Sequence, residues 1–145
     1  MKRLALVVVA VLAAACASES RATRATEALY LAVQVSENGR TVAAPKVLGF
    51  EGHSITTERR APGAAAPEYR LVLKPEESGR GYRVLLDLQL PSGKRVEGRV
   101  SLLHGEERAV RLDATTTLTV MLMRVDSAEF KALVDAPPRR GPATI

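Results

Sequence analysis

The most restrictive feature of the sequence is an alternating apolar stretch that ends at an Asn-Gly pair. Leu29, Leu31, Val33 and Val35 are each separated by one residue, which is the period of two expected of a half-buried strand. Asn38-Gly39 comes next, and a type I′ hairpin turn of this composition needs positive φ at both central residues. We therefore predict a hairpin with a two-residue loop, whose pairs would be Glu37 with Arg40, Val35 with Val42, and Val33 with Ala44.

Similar stretches recur at short intervals as far as residue 125. Extended segments are predicted at residues 46–50, 53–59, 68–74, 82–90, 95–103, 107–112 and 116–125, with Gly and Pro turns between them. Pro45 cannot donate a backbone hydrogen bond, so it indicates a sheet edge or a bulge. About seven to eight short strands predict an all-β fold, an antiparallel β-sandwich or a small barrel. One short C-terminal helix, residues 127–134, is predicted because Asp126 and Glu129 match a capping box.

A second hairpin is predicted around the turn residues Pro-Ser-Gly-Lys at 91–94. A two-residue loop there would place apolar residues opposite polar ones, which a strand with one buried face does not tolerate. Pairing Leu90 with Val96 keeps the apolar residues on one face and sets Asp87 opposite Arg99. We therefore predict an odd-length loop or a bulge.

The N-terminus has the pattern of an export signal. Lys2 and Arg3 precede an unbroken apolar run at residues 4–15. As a helix, twelve residues rise about 18 Å, well short of the roughly 30 Å hydrocarbon core of a bilayer. Residues 1–15 are therefore interpreted as a signal peptide and not as a membrane span.

The only cysteine of the chain lies directly after this run. Cys16 comes after three alanines, with Leu12 four positions before it. This resembles the lipobox of bacterial lipoproteins, although that family prefers the leucine three positions before the cysteine. The resemblance implies that Cys16 is acylated and attaches the protein to a membrane, and Ala17 implies the outer membrane, facing the periplasm. Cleavage after Ala15 or Ala17 without acylation is the alternative, and it would leave a soluble periplasmic or secreted protein.

The rest of the chain divides by composition. Residues 16–26 are small and polar and are predicted to be a flexible tether, residues 27–135 a β-domain, and residues 136–145 a disordered, Pro-rich tail. The net charge is +5, with 21 basic against 16 acidic residues, but basic residues are scattered and aromatic ones are few. A nucleic-acid-binding surface needs clustered basic residues and stacking aromatics, so no nucleic-acid partner is predicted.

Residues suited to catalysis or metal binding are sparse. His53 and His104 are the only histidines, each beside a predicted turn, and with Glu51 or Glu106 they would ligate a metal if the two turns converged. The simpler interpretation is two solvent-exposed turn residues. None of the serines lies in a nucleophile-elbow motif, and the adjacent glutamates at 76–77 and 106–107 would point to opposite faces of a strand. No catalytic residue, enzyme activity or cofactor is predicted.

Residues 42–90 resemble a segment of the secretins of bacterial secretion and pilus machines. The motif is Pro45-Lys46 with apolar residues after it, and then Gly49 and Gly52; the strand, Gly-rich turn and strand at residues 69–90 resemble the next segment of those proteins. Ile55 stands where the family usually has Ala, the later glycine-rich motif is missing, and the chain is too short for a multi-strand pore. The resemblance implies a separate secretin-like β-domain in the same compartment, without channel activity.

Two functions remain open at this point. In the preferred one, the chain is a lipid-anchored, non-catalytic interaction module that docks an envelope protein, for instance by sheet-edge pairing. In the alternative, it is a small-molecule or metal-binding envelope protein that uses His53 and His104.

Overall fold

The computed structural model describes residues 26–137, and over this range the chain is an antiparallel β-sandwich with one short helix. The all-β prediction is confirmed, with nine strands in the described range. The elements in chain order are β1 (Ala28–Glu37), β2 (Arg40–Ala43), β3 (Lys46–Phe50), β4 (Ile55–Arg59), β5 (Tyr69–Ser78), β6 (Gly81–Gln89), β7 (Arg95–Leu102), β8 (Glu107–Arg111), β9 (Thr116–Arg124) and α1 (Ala128–Asp135).

The strands form two sheets. The first sheet has the order β2-β1-β9-β8, and β3 pairs with β1 on the same side as β2. The second sheet has the order β4-β5-β6-β7. Chain connections from β3 to β4 and from β7 to β8 cross between the sheets, so the two layers are joined on both sides.

The core lies between the sheets and consists mainly of leucine and valine. Alternate residues of β1, β5, β6, β7 and β9 point inward, as the period-two patterns require. The most deeply buried large side chains are Leu29, Leu31, Leu71, Leu73, Leu88, Leu90, Leu118 and Leu122. Tyr69 and Tyr82 are the buried aromatic residues of the described range.

The first hairpin forms at the predicted turn, but its strand register differs from the predicted one after the first two residue pairs next to the turn. Asn38 has φ 51° and Gly39 has φ 76°, and Glu37 pairs with Arg40 as predicted. A bulge then pairs Val35 with Ala43, so the predicted pairs of Val35 with Val42 and of Val33 with Ala44 are wrong. The extra residue turns Ala43 into the core, where its side chain is buried.

Pro45 separates β2 from β3 while both remain alongside β1. The Val33 N–H donates to the Pro45 carbonyl over 2.9 Å, and from Lys46 the chain pairs again with β1, with Leu48 opposite Tyr30. The prediction of a sheet edge at Pro45 is confirmed. The carbonyl of Pro45 faces β1, so the position loses only the N–H that would have returned the bond to Val33, and an edge position tolerates this loss.

The second hairpin has an odd-length loop, as predicted, but a register two residues away from the predicted one. Gln89 pairs with Arg95 and Leu88 with Val96 across a loop of residues 90–94. The Leu90 N–H donates to the Lys94 carbonyl within this loop, and the Leu90 side chain is buried. The predicted pairs of Leu90 with Val96 and of Asp87 with Arg99 are therefore wrong, because a shift of two residues keeps the same faces and alternation alone cannot exclude it.

Smaller differences concern the ends of elements. β5 continues to Ser78 through Pro75, past the predicted end at Lys74, and β4 begins at Ile55 instead of His53. The helix is capped by Ser127, whose hydroxyl accepts a hydrogen bond from the Phe130 N–H. The prediction of Asp126 as the first residue of a capping box is thus wrong by one position.

Several predictions fall outside the described residues. These are the signal peptide, the acylated Cys16, nearly all of the tether and residues 138–145 of the tail. Between residues 26 and 137, none of the helical structure is long and apolar enough to cross a membrane.

Candidate docking surface

The open side of β3 is the sheet edge with the most exposed apolar surface. Lys46, Leu48 and Phe50 alternate on its outer face, and Leu48 and Phe50 are 64% and 53% exposed. Within residues 26–137, β3 pairs only with β1. An edge of this kind offers unpaired backbone groups to another strand.

The other edge strands carry charges on the positions that face solvent. On β7 these are Arg95, Glu97 and Arg99, on β8 Glu107, Arg108 and Arg111, and on β4 Glu58 and Arg59. Charged side chains on an edge oppose strand addition. β3 has one exposed charged residue, Lys46, beside two large exposed apolar ones. Among the sheet edges that the structure describes, it is therefore the one best suited to pairing with another chain.

Helix α1 lies beside β3, over the outer face of the first sheet. The rings of Phe130 and Tyr30 contact each other with centroids 5.3 Å apart. Ser127 fixes the start of the helix, because its hydroxyl donates to the Arg124 carbonyl over 2.6 Å and accepts from the Phe130 N–H over 3.2 Å. The helix is thereby held at the end of β9 with one apolar side toward β3.

A groove of about 390 Å³ separates the helix from the strand. Tyr30 and Phe130 meet at one side of it, and Leu48, Leu133 and Val134 also line it. Of the six large apolar side chains that are exposed in residues 26–137, four belong to β3 and α1: Leu48, Phe50, Leu133 and Val134. We call the outer side of β3 together with this groove the β3–α1 surface.

This clustering distinguishes the β3–α1 surface from the scattered apolar residues that most protein surfaces carry. Single exposed apolar residues need no explanation, but a contiguous group of them marks an interaction site. The remaining two exposed residues of this kind, Leu85 and Leu103, lie on or after strands of the other sheet. Leu103 serves as a matched control below.

A larger, polar cleft of about 650 Å³ lies at the end of the sandwich where β1 begins. The turns after β3, β5 and β7 and the end of β9 surround it, and they contribute Glu51, Glu77, His104 and Arg124. Tyr82 donates a hydrogen bond to Glu27 at its floor. Burial of the Tyr82 phenol, together with this bond, raises its pKa well above the usual 10.0.

The polar groups of the cleft bind one another. Glu51 accepts a hydrogen bond from the Glu77 N–H at 3.2 Å, and Arg124 lies 3.8 Å from Glu27. These contacts tie the turns at this end of the sandwich to the start of β1, so the cleft has a structural role in closing the fold.

The two histidines have different surroundings. His53 is exposed, its Nδ1 lies 3.0 Å from the Glu51 carbonyl, and its ring packs edge-on against Phe50. His104 is partly buried: its Nδ1 accepts from the Arg124 N–H at 3.1 Å and its Nε2 lies 3.2 Å from Glu129. His104 lines the polar cleft together with Glu51, whereas His53 is not among the lining residues.

No group of three or more His, Cys, Asp or Glu side chains with a geometry suited to a metal ion occurs in the described part of the chain. His104 lies in the turn after β7 as expected, but it is only partly exposed, and its two contacts link the end of β9 to α1. Its contact with Glu129 also contributes to the lowered pKa of that carboxyl, after a backbone hydrogen bond at the helix start.

The outer face of the second sheet is charged, as the alternation at Arg83, Asp87, Arg95, Glu97 and Arg99 predicts. Arg95 donates two hydrogen bonds to Asp87, of 2.9 and 2.5 Å, and they hold the pKa of that carboxyl below its usual value. Exposed pairs of this type contribute little to stability.

The residues of the β3–α1 surface could not be identified from the sequence. An extended apolar segment at 46–50 and a helix near 127–134 were both predicted, but nothing placed the two side by side. One signal was present: the segment alternates with period two, yet both alternate sets contain apolar residues. One set must then remain exposed if the strand lies at an edge.

Comparison with known proteins gave no match: no family model, no curated protein and no solved structure is similar to the chain at a significant level.

Proposed function

We propose that this protein is a lipid-anchored envelope protein whose β-domain acts as a non-catalytic interaction module, binding another polypeptide at the β3–α1 surface. The observation that carries the proposal is the concentration of exposed Leu48, Phe50, Leu133 and Val134 around a sheet edge on which Lys46 is the single charged residue of the strand. A partner strand added to β3 would gain backbone hydrogen bonds, and its side chains would enter the groove beside α1.

The envelope location is supported by the N-terminal sequence. A short basic start, twelve apolar residues and a single cysteine after three alanines resemble a lipoprotein signal. Several acyl chains on Cys16 would give stable attachment to the outer membrane, which a single chain would not.

The anchor is tested by the intact mass of the protein in the membrane fraction, with Cys16→Ser as the comparison. We expect the wild type to have lost residues 1–15 and gained the mass of its acyl chains, and the variant to leave the membrane fraction. A full-length, unmodified chain in the cytosol would contradict the anchor.

The docking surface is tested by Leu48→Lys and Phe50→Lys, with Leu103→Lys as the matched control. Leu103 is 54% exposed, close to Phe50, but belongs to a different face. We expect detergent-solubilised wild type and the Leu103 variant to migrate as a complex in native electrophoresis. The two β3 variants should migrate as the free protein, because a buried charge at the contact opposes association.

All three substitutions are at exposed positions, so their thermal unfolding should stay close to that of the wild type. A wild type that migrates at the size of the free chain would refute the proposal.

A further inference from the structure

The sequence of β3 is complementary to itself when two copies run antiparallel. With Leu48 at the centre, Lys46 of one copy lies opposite Phe50 of the other, and Val47 lies opposite Gly49. The three outer residues of each strand, Lys46, Leu48 and Phe50, would then lie on the same face of the joined sheet as three cross-strand pairs. A Lys ammonium near an aromatic ring is an attractive contact, and Leu48 would meet its own copy.

We propose that the partner at the β3–α1 surface is a second copy of this chain, joined by β3–β3 pairing about a two-fold axis at Leu48. This inference rests on the proposed function and names its partner. Most homo-oligomers are closed two-fold dimers with the same patch on both subunits.

The charge at the start of β3 favours this direction of pairing. Lys46 is the first residue of the strand and is exposed on its outer face. Antiparallel pairing separates the two lysines and places each opposite a phenylalanine, whereas in-register parallel pairing would place lysine opposite lysine. Like charges directly opposite each other destabilise a strand pair.

The open edge of β3 also has the same length as the strand that would pair with it. Pro45, whose carbonyl binds the Val33 N–H of β1, precedes it on one side, and Gly52, in a turn with φ 76°, ends it on the other. The strand between these ends, Lys46–Phe50, has five residues, and another β3 has the same five.

The helices complete the contact. A two-fold axis perpendicular to the paired sheets places both α1 helices on the same face, on either side of the Leu48 contact. A strand pair about 17 Å long contributes only a small contact area, whereas a stable interface buries roughly 800 Å² on each side. The apolar walls of the two grooves, including Leu133 and Val134, supply the additional area.

Cysteine cross-linking tests the register in the full-length chain, expressed in a bacterial envelope. Directly opposite residues of an antiparallel pair have Cβ atoms about 4.5–5.5 Å apart, close to the separation of a disulfide. Leu48→Cys should therefore form a disulfide-linked dimer, because position 48 faces itself. Lys46→Cys is the matched control: its copy lies four residues away along the strand, about 13 Å, too far for a bond.

We expect Leu48→Cys to give on the order of tenfold more cross-linked dimer than Lys46→Cys or Leu103→Cys, because position 48 alone of these three brings two cysteines directly opposite each other. The double variant Lys46→Cys with Phe50→Cys should cross-link again, although neither single variant does. Equal cross-linking of Leu48→Cys and Leu103→Cys would overturn the self-pairing.

A photo-cross-linking residue at position 48 distinguishes the two proposals. An adduct of twice the mass of the chain supports self-pairing. An adduct of another mass overturns self-pairing and leaves the docking surface in place. The absence of any adduct at 48 overturns both.

Discussion

At the scale of single residues, two glycines of the second sheet differ in the room that a side chain would find. A Cβ built on Gly81, the first residue of β6, would lie 2.5 Å from the Leu102 carbonyl oxygen. On Gly98 of β7, it would lie 3.0 Å from the end of the Leu112 side chain. A backbone carbonyl in a sheet cannot move aside, whereas a leucine methyl group can.

We predict that Gly81→Ala lowers the free energy of unfolding by roughly 1–3 kcal/mol, the usual cost of overpacking. Gly98→Ala should cost less than about 1 kcal/mol, because a side chain gives way more easily. Urea denaturation of both variants measures the difference. Equal losses would show that β6 and β7 can separate locally at Gly81.

The turn between β8 and β9 depends on one carboxylate. Asp113 accepts hydrogen bonds of 2.8 Å from the N–H groups of both Thr115 and Thr116, and it lies 2.5 Å from Lys94. The Lys94 contact, together with these backbone bonds, lowers the pKa of Asp113 far below its usual value.

A carboxyl whose pKa is lower in the folded state stabilises the fold above its unfolded pKa, and this contribution is lost as the pH falls further. We predict that Asp113→Asn has a lower Tm than the wild type at pH 7. The difference should shrink as the pH falls below about 4, where the unfolded carboxyl begins to bind protons. Thermal unfolding at a series of pH values, with Asp126→Asn as the control, measures this effect. A difference that does not change with pH would contradict it.

At the scale of elements, α1 is short and has no buried residue. Isolated helices of fewer than about 12–15 residues are marginal in water. The cap at Ser127 and the ring contact between Tyr30 and Phe130 are therefore needed to hold it.

We predict that Ser127→Ala destabilises α1 by about 1 kcal/mol, the typical value of a helix cap. Hydrogen exchange at the α1 amides should become faster, while exchange at the buried β1 and β9 amides stays the same. The matched control is Ser101→Ala on an exposed position of β7. Unchanged exchange in α1 would show that its other contacts, Tyr30 with Phe130 and His104 with Glu129, hold the helix without the cap.

Element type was largely predictable from the sequence, and register was not. Alternation identifies which residues of β6 and β7 face inward, but it is unchanged by a shift of two residues. The observed register is the one in which the Leu90 N–H donates to the Lys94 carbonyl within the loop. In β1 and β2, the bulge at Val35 shifts the pairing by one residue. Its cause is the burial of Ala43, a tertiary contact that no local pattern records.

At the scale of the whole molecule, both sheets contribute to one core. Leu31 of β1 and Leu71 of β5 come from opposite sheets, and both are fully buried in the same cluster. A sandwich of this size should unfold as one cooperative unit.

We predict that Leu31→Ala and Leu71→Ala each lower the free energy of unfolding by roughly 2–5 kcal/mol. Both variants should lower the temperature of the same single unfolding transition in calorimetry. Leu103→Ala, at an exposed position, should leave that temperature nearly unchanged. Two separate transitions would indicate that the sheets unfold independently.

The fold class could be predicted from the sequence because alternating strands with turns between them have few alternatives. The β3–α1 surface could not, since it depends on the position of α1 over the first sheet. Residues 46–50 and residues 130–134 are far apart in the chain, and only the path of β9 along β1 brings them together.

The position of Pro45 also bears on how the protein avoids aggregating. Amyloid-like stacking typically requires apolar segments of about six or seven residues without proline. Pro45 interrupts the strand so that only the five residues of β3 are available, which is shorter than such a segment. The chain can thus expose an apolar strand edge whose length does not favour stacking of many copies into a fibril.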